Sequence, residues 1–137
     1  MYKSKRGYNK PNDNDILDAL VYYCEVTGEC DYDRVRYIKI DKISRIKFAY
    51  ARDIEDVSSW GGREESGWLL DVPKKDWVDE LQSAYSRDFE HIIEKYDNKT
   101  IRPAILINGT LSDGRGRSMF LDAIGEKVPY VEIEIGV

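Results

Sequence analysis

Apolar residues recur with helical spacing at four places along the chain. The first run covers residues 14–26, where Asn12 and Asn14 are candidate N-caps and Gly28 is a candidate stop. Three later runs, over residues 73–85, 89–96 and 118–124, show the same spacing. We therefore expect four helices, and the ambiguous stretch 43–57 is assigned a short helix near residues 53–57.

Strand patterns occur at three places. Residues 35–40 are β-branched and aromatic with charges at alternate positions, which is typical of a half-buried strand. Ala104–Ile107 is continuously apolar and is followed by Asn108 and Gly109, so it predicts a buried strand that enters a tight turn. Val128–Ile135 alternates between apolar and acidic residues. The last third of the chain is therefore predicted to run strand, turn, helix, strand.

Length and composition favour one globular domain. The chain has 137 residues, of which 42% are hydrophobic and 34% charged, and this is enough to bury a core. We expect a single domain over residues 12–137, preceded by a flexible basic arm at 1–11. The arm lacks the apolar run of a secretion signal, and no stretch reaches the ~20 apolar residues of a membrane helix. The expected location is cytoplasmic, with no membrane partner.

Cysteine usage and net charge narrow the function classes further. Cys24 and Cys30 are too few for a zinc site, and we expect reduced, structural thiols, which agrees with a cytoplasmic location. The net charge is −5 and argues against binding long nucleic acid by general attraction. We therefore expect no sequence-specific binding to duplex DNA. A small anionic ligand in a local basic pocket remains compatible with this charge.

The candidate chemistry lies in the turn Asp113-Gly114-Arg115-Gly116-Arg117, which precedes a predicted helix. Glycine lets the backbone approach a ligand, the helix N-terminus attracts anions, and guanidinium groups grip phosphate oxygens. The pattern therefore indicates a phosphate site. The alternative is an ordinary turn whose arginines are solvated or pair with nearby acids such as Asp122, Glu126 or Glu132.

Residues 102–117, followed by 121–125 and 128–131, resemble the ParB/sulfiredoxin-like (ParB N-terminal, "ParB-like nuclease") domain superfamily. In that superfamily a proline and an apolar strand lead to a D-G-x-x-R turn, then a helix ending in glycine, then a V-P strand. The resemblance extends more weakly over residues 35–135. It implies an α/β (α+β) fold, a compact domain with a small mixed sheet and packed helices. To this the chain adds an N-terminal helix and an insertion flanked by Trp60 and Trp68.

The resemblance also implies a nucleotide- or phosphate-binding protein, with a phage or mobile-element origin suggested by the small size and unusual additions. Gly114–Arg117 holds neither the cysteine nor the histidine of the sulfiredoxin turn, so sulfiredoxin chemistry is not expected. No helix-turn-helix module follows the last strand, so centromere-type DNA reading is not expected either.

The expected ligand is a nucleoside triphosphate, with or without Mg²⁺, and each candidate residue can be given a role in binding or converting it. The cofactor-binding set is Gly114, Arg115, Gly116, Arg117, Ser118 and Arg52, with Ser118 expected to cap the helix and Arg52 to stand where the superfamily often has an arginine. Asp113 and Asp53 are the candidate catalytic acids for phosphoryl transfer or nucleotide hydrolysis. Asp113 has the alternative role of a turn residue that bonds its own backbone. No protein metal-ligand set is predicted, and whether the chain is an enzyme stays open.

Two other functions remain open. One is a non-catalytic regulatory or protein-binding module on the same fold, which would meet its partner through the Trp60/Trp68 loop. The other is a nuclease or a DNA-binding accessory protein, which would need a basic groove supplemented by the arm residues Lys3, Lys5, Arg6 and Lys10.

Overall fold

A computed structural model describes residues 9–61, 63 and 65–136. Most of the predicted basic arm, residues 1–8, therefore lies outside the described residues. The α-helices are α1 (Asp13–Thr27), α2 (Ala51–Ile54), α3 (Trp77–Tyr85), α4 (Glu90–Asp97) and α5 (Arg115–Ala123). The strands are β1 (Ile40–Ile43), β2 (Lys47–Ala49), β3 (Ala104–Ile107), β4 (Thr110–Asp113) and β5 (Val128–Ile135). Short 3₁₀ helices cover Tyr32–Tyr37, Val57–Trp60, Trp68–Asp71 and Lys74–Asp76.

One mixed sheet organises the fold, in the order β1-β5-β3-β4, and β2 pairs with the other end of β5. Strands β3 and β5 are parallel and are connected through β4 and α5, while every other pairing is antiparallel. The central strand β3 is fully buried, as a continuously apolar strand should be. The expected α/β class, with an internal β3 and a helix packed on the sheet, is confirmed.

The sheet has a hydrophobic core on each face. Helix α1 covers one face, where its buried side chains pack against Ile105, Ile107, Val131, Ile133 and Ile135. Helices α2 to α5 lie on the other face, around Ala104, Leu106 and Val128. Along β5 the apolar residues are buried while Glu132 and Glu134 are more exposed, which confirms the predicted alternation.

Helix α1 begins and ends where its capping residues predict. The Asn12 side chain accepts a hydrogen bond from the backbone of Asp15, and the Asp15 carboxylate accepts one from Asn12 in return. Gly28 closes the helix. This helix places Tyr22 close to the start of α5, which matters for the site below.

The strand predictions need correction at three places. Strand β2 lies in the stretch 43–57, for which only a short helix was expected. Residues 35–40 were expected to form a strand, but Tyr32–Tyr37 is a 3₁₀ helix and the first strand is Ile40–Ile43. Val35 is buried against the α1 face of the core, so its apolar character serves packing without strand pairing. Strand β4 was not predicted at all, although Asn108 and Gly109 form a two-residue hairpin turn with φ of 46° and 85°.

The cysteines also differ from expectation. Cys24 and Cys30 form a disulfide that links the last turns of α1 to the segment beyond Gly28. The expectation of reduced thiols is therefore wrong, and the expected cytoplasmic location loses the support that it took from them. The reason is geometric, because the stop at Gly28 folds the chain back and leaves the two Cα atoms 4.9 Å apart.

Candidate functional site

The predicted turn connects the end of β4 to the start of α5. Gly114 is the N-cap residue, with a φ of +98° that favours glycine. A Cβ at this position would lie 2.8 Å from Ala104 Cβ and 2.9 Å from Ala104 Cα, so the absent side chain also lets the turn approach β3. No described side chain caps this helix end. The first-turn amides of α5 therefore remain available for an anion.

A pocket of about 320 Å³ opens at this helix end. Residues 111–117 form one side of it, Tyr22 of α1 forms another, and Arg87 and Ile92 complete the wall from the side of α4. The volume lies at the lower end of the range for small-molecule sites. Asp113, Gly114, Arg115, Gly116 and Arg117 all line this one cavity.

Arg115 is held in a fixed orientation at the pocket wall. Its Nη2 donates to Glu55 Oε1 at 2.7 Å, its Nε donates to Glu55 Oε2 at 3.2 Å, and its Nη1 donates to the Tyr22 hydroxyl at 2.5 Å. The hydrogen bonds to Glu55 raise the pKa of Arg115 above its usual value. The guanidinium is therefore cationic and preorganised, but part of its hydrogen-bonding capacity is already used.

Arg117 is the more buried of the two predicted arginines, with a side chain that is 15% exposed. Its Nη2 donates to Asp113 Oδ2 at 3.2 Å and weakly to the Pro103 carbonyl at 3.4 Å. Its Nε is buried and has no hydrogen-bond partner among the described residues. Burial lowers the pKa of Arg117, and the nearby Asp113 carboxylate opposes that effect. An anion in the pocket would reduce the cost of burying this charge.

Arg87 is a pocket residue that sequence reasoning missed. It lies in the segment between α3 and α4, where its guanidinium sits 5.7 Å from the centre of the Phe89 ring. A Cβ on Gly116 would lie 3.2 Å from Arg87 Cζ and 3.0 Å from Ile92 Cδ1. Gly116 therefore makes room for these two side chains. No local motif marks Arg87, because its role depends on a contact with residues almost thirty positions further along the chain.

Three predicted site residues lie elsewhere. Ser118 does not cap α5: it is fully buried one turn into the helix, and its hydroxyl donates to the Gly114 carbonyl at 2.9 Å. Arg52 donates from Nε and Nη2 to the buried Asp122 carboxylate at 3.0 and 3.3 Å, which raises the Arg52 pKa. Asp53 is an exposed residue of α2. None of the three lines the pocket.

The tryptophans that flank the insertion are packing residues. Trp60 is buried, and its Nε1 donates to Glu55 Oε2 at 2.6 Å. Trp68 is half-buried and packs against Tyr85, and the Gly67 amide donates to the Asp122 carbonyl of α5 at 2.8 Å. The two described ends of the insertion are therefore tied to the same part of the molecule as the pocket. Residues 62 and 64 lie outside the described residues.

Within the described part of the chain, no three His, Cys, Asp or Glu side chains are grouped so that they could hold a metal ion. Among the described helices, none combines the length and the apolar character needed to cross a bilayer.

Comparisons with family models, with curated proteins and with solved structures find no match to this chain. The pocket's own residues therefore carry the functional assignment.

Proposed function

We propose that this protein binds a small phosphate-bearing ligand, such as a nucleotide, in the pocket at the start of α5. The observation that carries the proposal is that three arginines and the first turn of a helix line one cavity of about 320 Å³. Guanidinium groups bind phosphate oxygens in pairs, and the helix end adds amide donors and a favourable dipole. The guanidinium groups and the helix end therefore attract the same phosphate group.

Charge balance around the pocket supports this choice. Arg87, Arg115 and Arg117 line the cavity, and Asp113 is the acid in its lining. Glu55 forms an ion pair with Arg115 but does not itself line the cavity. Three cationic groups therefore face two carboxylates, which leaves the cavity positively charged although the whole chain carries −5.

Phosphoryl transfer or nucleotide hydrolysis extends this proposal. Asp113 lies in the pocket lining and contacts Arg117. Under this proposal its carboxylate accepts a proton or binds a metal carried by the ligand. Asp53 does not line the pocket, so it has no part in this reaction. Membership of the ParB/sulfiredoxin-like superfamily stays part of the proposal. The order strand, turn, helix, strand supports it, with β4 standing between β3 and the turn.

The protein-binding alternative gains nothing from the tryptophans. That alternative needs exposed aromatic surface, but Trp60 is buried against Glu55 and Trp68 packs on Tyr85. Nor does a specific contact favour the nuclease alternative over a small-molecule site. A nucleotide or another small phosphate-bearing molecule is therefore the ligand class to test first.

The test is a thermal-shift screen followed by calorimetric titration with inorganic phosphate, adenosine 5′-monophosphate and adenosine 5′-triphosphate, the last with and without Mg²⁺. Arg87→Gln is the informative variant because Arg87 is exposed and its loss should not disturb folding. We expect affinity to fall by about tenfold. Arg45→Gln, an exposed arginine between β1 and β2, is the matched control and should bind as the wild type does. A chain stabilised by none of these ligands does not have the proposed function.

A further inference from the structure

A second, smaller pocket lies on the far side of Arg117. It has a volume of about 100 Å³ and is bounded by His91, Ile92 and Lys95 of α4, by residues 100–102, and by Arg117. Arg117 and Ile92 line both pockets. The two cavities are therefore neighbours that share a wall, and one ligand could occupy both.

The lining of the smaller pocket is basic. It contains Lys95, Arg102 and Arg117 together with His91, and none of the described residues that line it is acidic. Arg102 forms an ion pair with Asp15 of α1, which supplies a negative charge nearby but leaves the Arg102 side chain 55% exposed. The remaining cationic groups have no carboxylate inside the cavity. Such a lining attracts an anionic group.

The shared wall has unused hydrogen-bonding capacity. Arg117 directs Nη2 to Asp113, while its buried Nε has no partner among the described residues. Arg102 and Arg117 line the same small cavity, so the two cations lie close to each other. Burial lowers the pKa of Arg117, the Asp113 carboxylate opposes this, and repulsion by Arg102 lowers that pKa further. An anionic group placed beside them would relieve that repulsion.

Size restricts what the smaller pocket can hold. Its volume of about 100 Å³ is roughly a third of the 320 Å³ of the larger pocket. We therefore assign to it the smaller part of the ligand, a single phosphate group. The larger pocket has the room for the organic part of a ligand and its first phosphate.

We propose that the smaller pocket, bounded by Lys95, Arg102 and Arg117, binds a second phosphate group of the ligand that occupies the larger pocket. This inference rests on the proposed function and names its ligand class, a small molecule with two phosphate groups. The groups are either linked directly, as in a diphosphate, or separated by an organic body.

The experiment titrates five probes by calorimetry: inorganic phosphate, adenosine 5′-monophosphate, pyrophosphate, adenosine 3′,5′-bisphosphate and a short single-stranded oligonucleotide. In the wild type, at least one of the two-phosphate probes should bind about tenfold more tightly than the monophosphate. Lys95→Gln should remove most of this advantage and leave the affinity for the monophosphate unchanged. Lys39→Gln is the control for general loss of charge, because Lys39 is an exposed residue just before β1 and lines neither pocket. The two-phosphate probe that binds more tightly shows how the phosphate groups are arranged. Tighter binding of pyrophosphate indicates directly linked groups, and tighter binding of the bisphosphate indicates groups separated by an organic body.

Other outcomes overturn the inference in distinguishable ways. If the monophosphate binds but neither two-phosphate probe binds more tightly, the second subsite is wrong while the proposed function stands. Equal losses for all probes in Lys95→Gln would also refute a separate subsite. If a short single-stranded oligonucleotide binds more tightly than every small probe, the ligand class is wrong. If no phosphate probe binds, the inference and the proposed function both fail.

Discussion

Glu55 and Arg115 form a two-bond ion pair at the edge of the larger pocket, with nitrogen to oxygen distances of 2.7 and 3.2 Å. The same carboxylate accepts a hydrogen bond from Trp60 Nε1 at 2.6 Å. Glu55 thus connects the segment after α2 to an arginine of the proposed site. It also places a negative charge beside a cavity that we propose for anions, so it has two opposed effects on ligand binding.

Replacing Glu55 by glutamine should separate these effects. An amide oxygen in the place of Oε2 can still accept from Arg115 Nε and Trp60 Nε1, but the bond that Oε1 accepts from Arg115 Nη2 is lost together with the negative charge. We expect affinity for inorganic phosphate to rise by roughly fivefold, or about 1 kcal/mol, because a partly exposed ion pair is worth no more than that. Calorimetric titration measures the change, and Glu134→Gln, at the exposed position of β5, is the control. Weaker binding in Glu55→Gln would mean that the charge is needed to position Arg115.

Arg117 should matter for both folding and binding. Truncation of a solvated turn arginine would leave folding nearly intact, but Arg117 is mostly buried and contacts Asp113. We expect Arg117→Ala to lower the free energy of unfolding by about 1–3 kcal/mol and to weaken phosphate binding by roughly ten- to a hundredfold. Arg117→Lys should restore part of each, because an ammonium group keeps the charge but lacks the two-pronged donor geometry.

Urea denaturation and phosphate titration of the three proteins check this prediction. Arg115→Ala is the comparison, since Arg115 is about one-third exposed and its loss should affect binding more than stability. If Arg117→Ala unfolded at the same urea concentration as the wild type, the buried structural role would be refuted. If its phosphate affinity were unchanged, Arg117 would not be part of the site.

The fold was predictable where local pattern and burial agree. Periodicity and the Asn12 cap located α1, and a continuous apolar run located β3. The strand predicted over residues 35–40 was wrong because a β-branched, aromatic composition also suits a short 3₁₀ helix that buries Val35. Strand β4 was hidden because Thr110–Asp113 is largely polar, and it becomes a strand through pairing with β3 after the Asn108-Gly109 turn.

The site was predictable only in its contiguous part. The turn from Asp113 to Arg117 is a sequence motif, and all five of its residues line the larger pocket. Tyr22, Glu55 and Arg87 reach the same place from three distant segments, and nothing in their neighbourhoods in the sequence signals it. Ser118 was assigned by its position after the turn, but the helix begins three residues earlier, so its hydroxyl bonds back to Gly114.

The disulfide gives a prediction that is independent of the pocket. Closing the short loop between Cys24 and Cys30 should stabilise the oxidised protein by about 2 kcal/mol relative to the reduced one, through the lower entropy of the unfolded chain. Denaturation with and without a thiol reductant measures this difference. Cys30→Ser should be insensitive to the reductant. Two titratable thiols in the unfolded, non-reduced protein would contradict the pairing.

Gly114 should be the least replaceable residue of the turn for folding. Alanine there must adopt a φ of +98°, and its Cβ would lie 2.8 Å from Ala104 Cβ and 2.9 Å from Ala104 Cα. Because the second contact is with backbone in a buried strand, neither side can move cheaply, and we expect Gly114→Ala to lower the free energy of unfolding by about 3 kcal/mol or more.

Gly109→Ala is the matched control, since Gly109 also has a positive φ, of 85°, but a Cβ there would meet nothing within 4 Å. That variant should lose only about 1 kcal/mol, the cost of the backbone conformation alone. Urea denaturation of both variants gives, as the difference between them, the cost of the close contacts with Ala104 and with Arg117 Nη2, which would lie 2.9 Å from the same Cβ. Equal losses would mean that the close approach of the turn to β3 contributes nothing, and that the N-terminus of α5 is not held against the sheet by this contact.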